Sequence, residues 1–337
     1  MQNSGTTADL RGIDNVGGGV AWASGSNGTV LRTEDAGYLW QVCTVPPGAE
    51  HLDFRGIQAF DANNAIVMSS GKGDLSRLYK TTDGCQSWKL VFTNPDKDGF
   101  WDALRFDRLA GYGVLLGDPV NGRFALWRSW DEGDTWRVSG GMAQSLTALK
   151  DEGVFAASNS ALTVDRSAVA FVTGGPMGSR IYFFGQGPNG MGGVGMNALP
   201  LAAGSLTSGG FSIFHRDLCC LVIVGGDYLR PDSQAGTAAY GSGGNWQLAH
   251  TPPHGFRSAV AYDASTKTWI TVGPNGTDIS TDDGRNWRAL HPDPALHEPP
   301  DADRNWNALS LPYVVGPHGR IGKLNLHALD SAPAPGK

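Results

Sequence analysis

Short apolar runs recur along the chain at even spacing, each closed by Gly, Asp, Asn or Pro. They read GVAWASG, AIVMSSG, GVLLGDP, VAFVTGG, LVIVGGDY, WITVG and YVVGP. Val, Ile and aromatic residues dominate them, and no segment holds a helical apolar period for three turns, so the pattern predicts short strands. Each run follows a related phrase: LRGIDNV, FRGIQAF, FWDALRF, NSALTVD, GFSIFHR, FRSAVAY and NWNALSL. A third strand, such as RLYKT or FALWRS, comes next. Repetition of one small unit that cannot bury its own faces points to an array closed on itself. Seven units of three or four strands predict an all-β chain, a seven-bladed β-propeller over residues 1–330.

A second motif punctuates the units. RTEDAGYLW, KTTDGCQSW, RSWDEGDTW and ISTDDGRNW each place Ser or Thr, then Asp two positions on, then Gly or a substitute, then Trp. The tryptophans are Trp40, Trp88, Trp136 and Trp287, with a worn copy ending at Trp246. Their separations of 48, 48, 110 and 41 residues leave room for one unit without the motif. A tight turn between strands leaves N–H groups unpaired. An Asp carboxylate accepts several of them, Ser or Thr assists, and Gly permits the positive φ. These turns are therefore expected to be hairpin clamps with a structural role, and the Trp to be buried between neighbouring blades.

Length and composition agree. The 337 residues divide into blades of about 45 to 50 residues each. The 48 glycines suit many tight turns, and 40% hydrophobic content suffices for cores between blades. A net charge of −6 argues against nucleic acid as a partner. No apolar run is long enough to span a membrane as a helix. The N-terminal MQNSGTTADL lacks a basic region and an apolar core and reads as the start of a mature chain behind an added Met, consistent with a secreted or periplasmic protein. NSGTTAD is expected to supply the outer strand that the last unit lacks. The tail SAPAPGK, 331–337, reads as disordered.

Of four cysteines, Cys43 and Cys85 fall near one another on adjacent blades, where a bridge is possible. Cys219 and Cys220 are strand neighbours expected to be core thiols. No spacing of Cys and His resembles a metal site, and no phosphate loop, dinucleotide motif or nucleophile elbow is present, so neither metal nor cofactor is expected.

Strand alternation assigns sides. The clamps and the turns between first and second strands share one face, and the strand-one starts lie on the other, near the axis. Those starts offer Arg11, Arg55, Trp101 with Asp102, Asn159, Arg257, and Trp306 with Asn307. The turns between second and third strands add Asp118, Asp227 and Tyr228. Together they predict a polar, aromatic-lined mouth. Its arginines can fork onto a carboxylate or phosphate, and its rings can stack on a sugar or a side chain. Pairing of the arginines with Asp53 or Asp118 is the structural alternative. If the mouth is catalytic, Asp102 and Asp118 are the carboxyl pair available for acid–base work.

The clamps resemble the Asp box of sialidases and other BNR-repeat propellers. The layout, FRGI followed by YKTTDG and Trp, recurring with FAASNSALTV and VGGDY, is similar to that of photosystem II stability/assembly-factor-like propellers. That resemblance implies a non-catalytic propeller that binds protein through an arginine-rich patch, which Arg11, Arg55 and Arg257 can match. The sialidase resemblance implies three arginines facing a carboxylate, but no Tyr–Glu pair is evident here. Two functions follow as expectations. The first is binding of a protein, peptide, or small anionic or sugar ligand by a monomer. The second is a hydrolase or lyase acting on a glycoside or ester in the same mouth.

Overall fold

The computed structural model describes residues 1–139, 145–165, 168–185, 193–217, 220–325 and 329. The tail at 331–337 and Cys219 lie outside the described residues. Seven antiparallel sheets follow one another along the chain. Blade 1 holds β1 (Leu10–Gly17), β2 (Val20–Gly25), β3 (Val30–Thr33) and β4 (Gln41–Val42); blade 2 holds β5 (Phe54–Ala59), β6 (Ala65–Ser69), β7 (Arg77–Thr81) and β8 (Lys89–Thr93). Blade 3 is β9 (Trp101–Asp107), β10 (Tyr112–Val120), β11 (Arg123–Ser129) and β12 (Arg137–Val138), and blade 4 is β13 (Leu162–Val164), β14 (Ala168–Val172), β15 (Ser179–Gly185) and β16 (Val194–Leu199). Blade 5 is β17 (Ser208–Asp217), β18 (Cys220–Asp227), β19 (Ala238–Ser242) and β20 (Asn245–Leu248). Blade 6 is β21 (Ala259–Asp263), β22 (Thr268–Gly273), β23 (Gly276–Ser280) and β24 (Arg288–Leu290), and blade 7 has β25 (Ala308–Ser310), β26 (Tyr313–Val315) and β27 (Ile321–Lys323). The first strands touch in sequence around the ring and β1 meets β25, so a seven-bladed propeller closes on itself.

The N-terminus completes blade 7 more sparingly than a full strand. Gln2 alone bridges Ile321, and its side chain accepts a hydrogen bond from Trp40 Nε1 at 2.9 Å. Polar NSGTTAD turns instead, held by its own Ser and Thr hydroxyls.

The four clamps share one geometry. Thr33, Thr81, Ser129 and Ser280 donate to the Asp two residues on at 2.8–2.9 Å. The hydroxyls accept the N–H of Gly37, Cys85, Gly133 and Gly284, and the same Asp oxygens accept from Leu39, Ser87, Thr135 and Asn286. Hydrogen bonds from Ser87 hold the Asp83 carboxyl down to about 2. Cys85 takes the glycine position at φ 66° and is bonded to Cys43. Blade 5 has lost the Asp, and a two-residue Gly243–Gly244 turn at φ 57° and 92° replaces the clamp. Cys220 is not a core thiol: it is half-buried at the start of β18, 2.9 Å from Arg216 Nη2.

Every closed ring of sheets leaves the inner edge of its first strands facing the axis, where N–H groups need acceptors. Neighbouring blades supply them. Asn15 N–H donates to Ser310 Oγ, Ala59 to Asp14 Oδ2, Phe106 to Gln58 Oε1 and Val260 to Ser212 Oγ. Each link runs from one blade to the next, so ring closure and edge protection are the same set of bonds.

Candidate functional site

Clamp turns and first-strand turns share a face, as Ala36 N–H to Gly19 O, Gly84 to Asn63 and Glu132 to Gly111 attest. The starts of β1, β5 and β9 lie at the other end of those strands. There a β-bulge recurs: the pairing slips between Leu10 and Gly12, Phe54 and Gly56, Trp101 and Ala103, and Gly210 and Ser212. The extra residue is Arg11, Arg55, Asp102 or Phe211. A bulge re-aims a side chain where the ladder is broken, and in these four blades it sets one such residue at the mouth end of the first strand.

The mouth is not an open tunnel. On the approach to blade 4, Ala156–Ser160 crosses the axis. Ala156 O accepts from Arg55 Nη1 at 3.3 Å, and Ser158 Oγ donates to Ser258 O of blade 6 at 2.7 Å. Asn159 Nδ2 donates to Ile57 O at 3.2 Å, and its Oδ1 accepts Leu104 N–H at 2.7 Å. Asn159 sits at φ 60°, a conformation Asn tolerates better than most residues, and is 3% exposed. It ties blades 2, 3 and 4 together, with no polar atom left over for a ligand at the surface.

Several expected mouth residues also face inward. Trp101 is fully buried, stacked on Phe92 at 5.3 Å; Trp306 is buried beneath Arg320, whose guanidinium lies 4.6 Å above the ring. Arg257 is fully buried and forms a forked ion pair with Asp278, which also takes His254 Nδ1 at 2.6 Å. Asn307 donates to Leu10 O at 2.8 Å, joining blade 7 to blade 1. Asp227 is buried beneath Thr207 Oγ1, Arg230 Nε, Leu229 N–H and Ser205 Oγ; these bonds outweigh burial and hold its carboxyl below the usual range. Large rings and forked cations bury well at the strand starts between blades, whereas Asp227, at the end of β18, is capped by groups on either side of its own blade's first two strands.

Arg11, Arg55 and Tyr228 remain at the surface. Arg55 pairs with Asp53 at 2.7 Å. Arg11 makes no ion pair or hydrogen bond among the described residues, and its Nε is buried without an acceptor. Tyr228, 46% exposed, belongs to an aromatic shelf that sequence reading missed. Phe155 stacks on Phe211 at 3.8 Å, and Phe256 meets Phe211 edge-on at 4.7 Å. Tyr228 lies edge-on to Phe155 and Phe211 at 6.5 and 6.1 Å. Close backbone approach seats the shelf: a Cβ on Gly174 would lie 2.3 Å from Ser208 O and 2.7 Å from the Phe155 ring. The available signal was the Gly-Phe pairs at 210–211 and 255–256.

Asp102 and Asp118 are neighbours. Burial, then the Asp118 charge, push the Asp102 carboxyl well up, with Arg55 opposing; Oδ2 of Asp102 has no hydrogen-bond partner among the described residues. Burial pushes Asp118 up to about 6, against one hydrogen bond from Val154 N–H at 2.9 Å. Asp102 is 1% exposed. Asp118 lines an open recess of about 590 Å³ with Leu149, Asp151, Val154, Phe155 and Leu206. Among the described residues no group of three His, Cys, Asp or Glu is placed to hold a metal ion, and no helix is long and apolar enough to cross a membrane.

No protein-family model matches the sequence, and no curated protein matches it. Solved structures do share the architecture. A structure of YCF48 bound to a D1 peptide is 17% identical, with a TM-score of 0.64, covering 95% of this chain and 94% of that one. YCF48 from Cyanidioschyzon merolae is 17% identical, with a TM-score of 0.61, covering 94% of this chain and 95% of that one. What the two share with this chain is the fold, a seven-bladed propeller.

Proposed function

We propose that the protein binds a protein or peptide partner on the face opposite the clamps, with Arg11 and Arg55 receiving an anionic group of that partner. Arg11 carries the reading. Its guanidinium makes no ion pair or hydrogen bond among the described residues, so its charge is available to an incoming carboxylate, which a guanidinium receives in a forked, charge-assisted pair. The plugged axis fits the same reading, because it leaves a shallow surface better suited to a chain than to an engulfed small molecule. A D1 peptide is the ligand in one of the structures sharing the architecture. Panning a displayed random-peptide library on the protein tests this. Binders are expected, and Arg11→Ala is expected to weaken them by about tenfold or more. Failure to recover any binder, or equal binding to the variant, counts against it.

A second reading, a hydrolase or lyase acting on a glycoside or ester, is favoured by the Asp102–Asp118 pair, whose raised carboxyls suit proton transfer. Against it stands the burial of Asp102, which leaves Asp118 alone within reach of a substrate in the recess. Turnover of a glycoside or ester that Asp118→Asn abolishes would establish it. We also propose a secreted or periplasmic location. The Cys43–Cys85 bond supports it, since disulfides persist in oxidising compartments. Thiol alkylation of the protein from its native source, with mass analysis, tests the bond: alkylation of Cys43 and Cys85 without reductant would contradict it.

A further inference from the structure

Apolar side chains crowd one sector of the face opposite the clamps. Leu206 is 67% exposed and Leu229 70%, on the approach to blade 5 and in its β18–β19 turn. Tyr228 and the partly exposed Phe155 belong to the same sector, and Leu149 lines the recess with Phe155 and Leu206. The sector is rigid at its base. The rings of Phe155 and Phe211 are parallel to within 9°, and backbone bridges tie Gly153 to Gly174 and Gly174 to Gly209. A shelf already fixed loses little conformational freedom on binding.

The charges of the recess are unequal. Glu152 is neutralised by the forked Arg180 and capped by Thr173 Oγ1 and Leu149 N–H. Among the described residues Asp118 accepts a single hydrogen bond, from Val154 N–H, and Asp151 is exposed. Among the described residues, Lys150 is the one cation lining the recess. Two carboxylates against one ammonium leave the recess acidic. At the rim Arg55 is paired with Asp53, and Arg11 keeps a guanidinium without an ion pair among the described residues. The same face therefore offers an apolar shelf with an acidic hollow at one sector and guanidinium groups at another.

We infer that the recess between blades 3 and 5 takes an apolar side chain of the partner peptide on the Phe155–Leu206 shelf and a neighbouring Lys or Arg at Asp118 and Asp151. The inference rests on the peptide-binding reading and specifies the occupant by charge complementarity. It also sets a direction: the basic–apolar pair lies over blades 3 to 5, and the anionic group over blades 1 and 2.

Peptides recovered by panning on the wild-type protein are resynthesised and titrated by fluorescence anisotropy against Leu206→Asp, Asp118→Asn and Arg11→Ala. Leu206 is on the surface, and Asn at 118 keeps the oxygen that accepts from Val154, so both variants fold. Expected are sequences enriched in an apolar residue beside Lys or Arg, an affinity loss of about tenfold or more on Leu206→Asp, and a smaller loss on Asp118→Asn. Binding that depends on Arg11 but is indifferent to both recess variants overturns this inference and leaves the peptide-binding reading standing. Recovery of no binder overturns both.

Discussion

Replacing Asp118 with Asn is expected to stabilise the protein at neutral pH, by an amount that shrinks in acid. The carboxyl is pushed up by burial to about 6 from an ordinary value of 3.8, and among the described residues its single donor is Val154 N–H. A carboxyl raised in the native state binds its proton more tightly there than in the unfolded chain. Its contribution to stability is therefore full below the unfolded value and is lost as pH rises through the folded one. A shift of about two units corresponds to a penalty of about 3 kcal/mol at about pH 7.5, where the native carboxylate is ionised. By about pH 5 the native carboxyl is mostly protonated, and about 1.4 kcal/mol of that penalty is relieved. Asn removes the titration and retains the acceptor, so the stability difference between variant and wild type should fall by about 1.4 kcal/mol between those two conditions. Urea unfolding followed by tryptophan fluorescence measures both proteins at both pH values. Asp102→Asn, run alongside, separates the neighbour's share. A difference that stays constant to within about 0.5 kcal/mol would refute the reasoning, because Asp118 would then titrate alike in both states.

Reduction of the Cys43–Cys85 bond, which closes a separation of 42 residues, is expected to cost about 4 kcal/mol by loop entropy; unfolding with and without reductant reads it, and an unchanged midpoint contradicts it. Asn159→Ala strips the acceptor from Leu104 N–H and the donor from Ile57 O and should destabilise by about 1 to 3 kcal/mol. A smaller loss would mean that the crossing segment is held mainly by its serines. Asp278→Ala leaves the fully buried Arg257 unpaired and should cost about 3 to 5 kcal/mol, visible as a lowered midpoint, whereas a neutral result would show that the guanidinium finds other acceptors. Arg11→Ala should leave the unfolding midpoint unchanged or raised while weakening peptide binding. A clear loss of stability would mean that the guanidinium already has a partner.

The blades and their clamps were legible because the relevant bonds are local. Thr81, Asp83 and Cys85 lie within five positions and bind one another, so spacing alone predicted their geometry. The mouth was not legible because its bonds are remote. Arg257 and Asp278 stand 21 residues apart, Ser158 reaches Ser258 across 100, and Asn159 reaches Leu104 across 55. Sequence placed the strand starts on the correct face but could not tell a side chain that crosses the ring from one that faces water. Asp102 and Asp118 were paired from sequence by blade and strand end, and the structure makes them neighbours. The Phe155–Phe211 stack needed the register of blades 4 and 5, which no pattern within either unit contains.

Hydrogen–deuterium exchange of the protein with and without a peptide recovered by panning bears most directly on where a partner sits. Protection is expected at residues 148–155, 206–209 and 227–230 and around Arg11 and Arg55, with the clamp turns at Asp35, Asp83, Asp131 and Asp282 unchanged. Protection confined to the clamp turns, with the opposite face exchanging as in the free protein, would contradict binding across the arginine-bearing mouth.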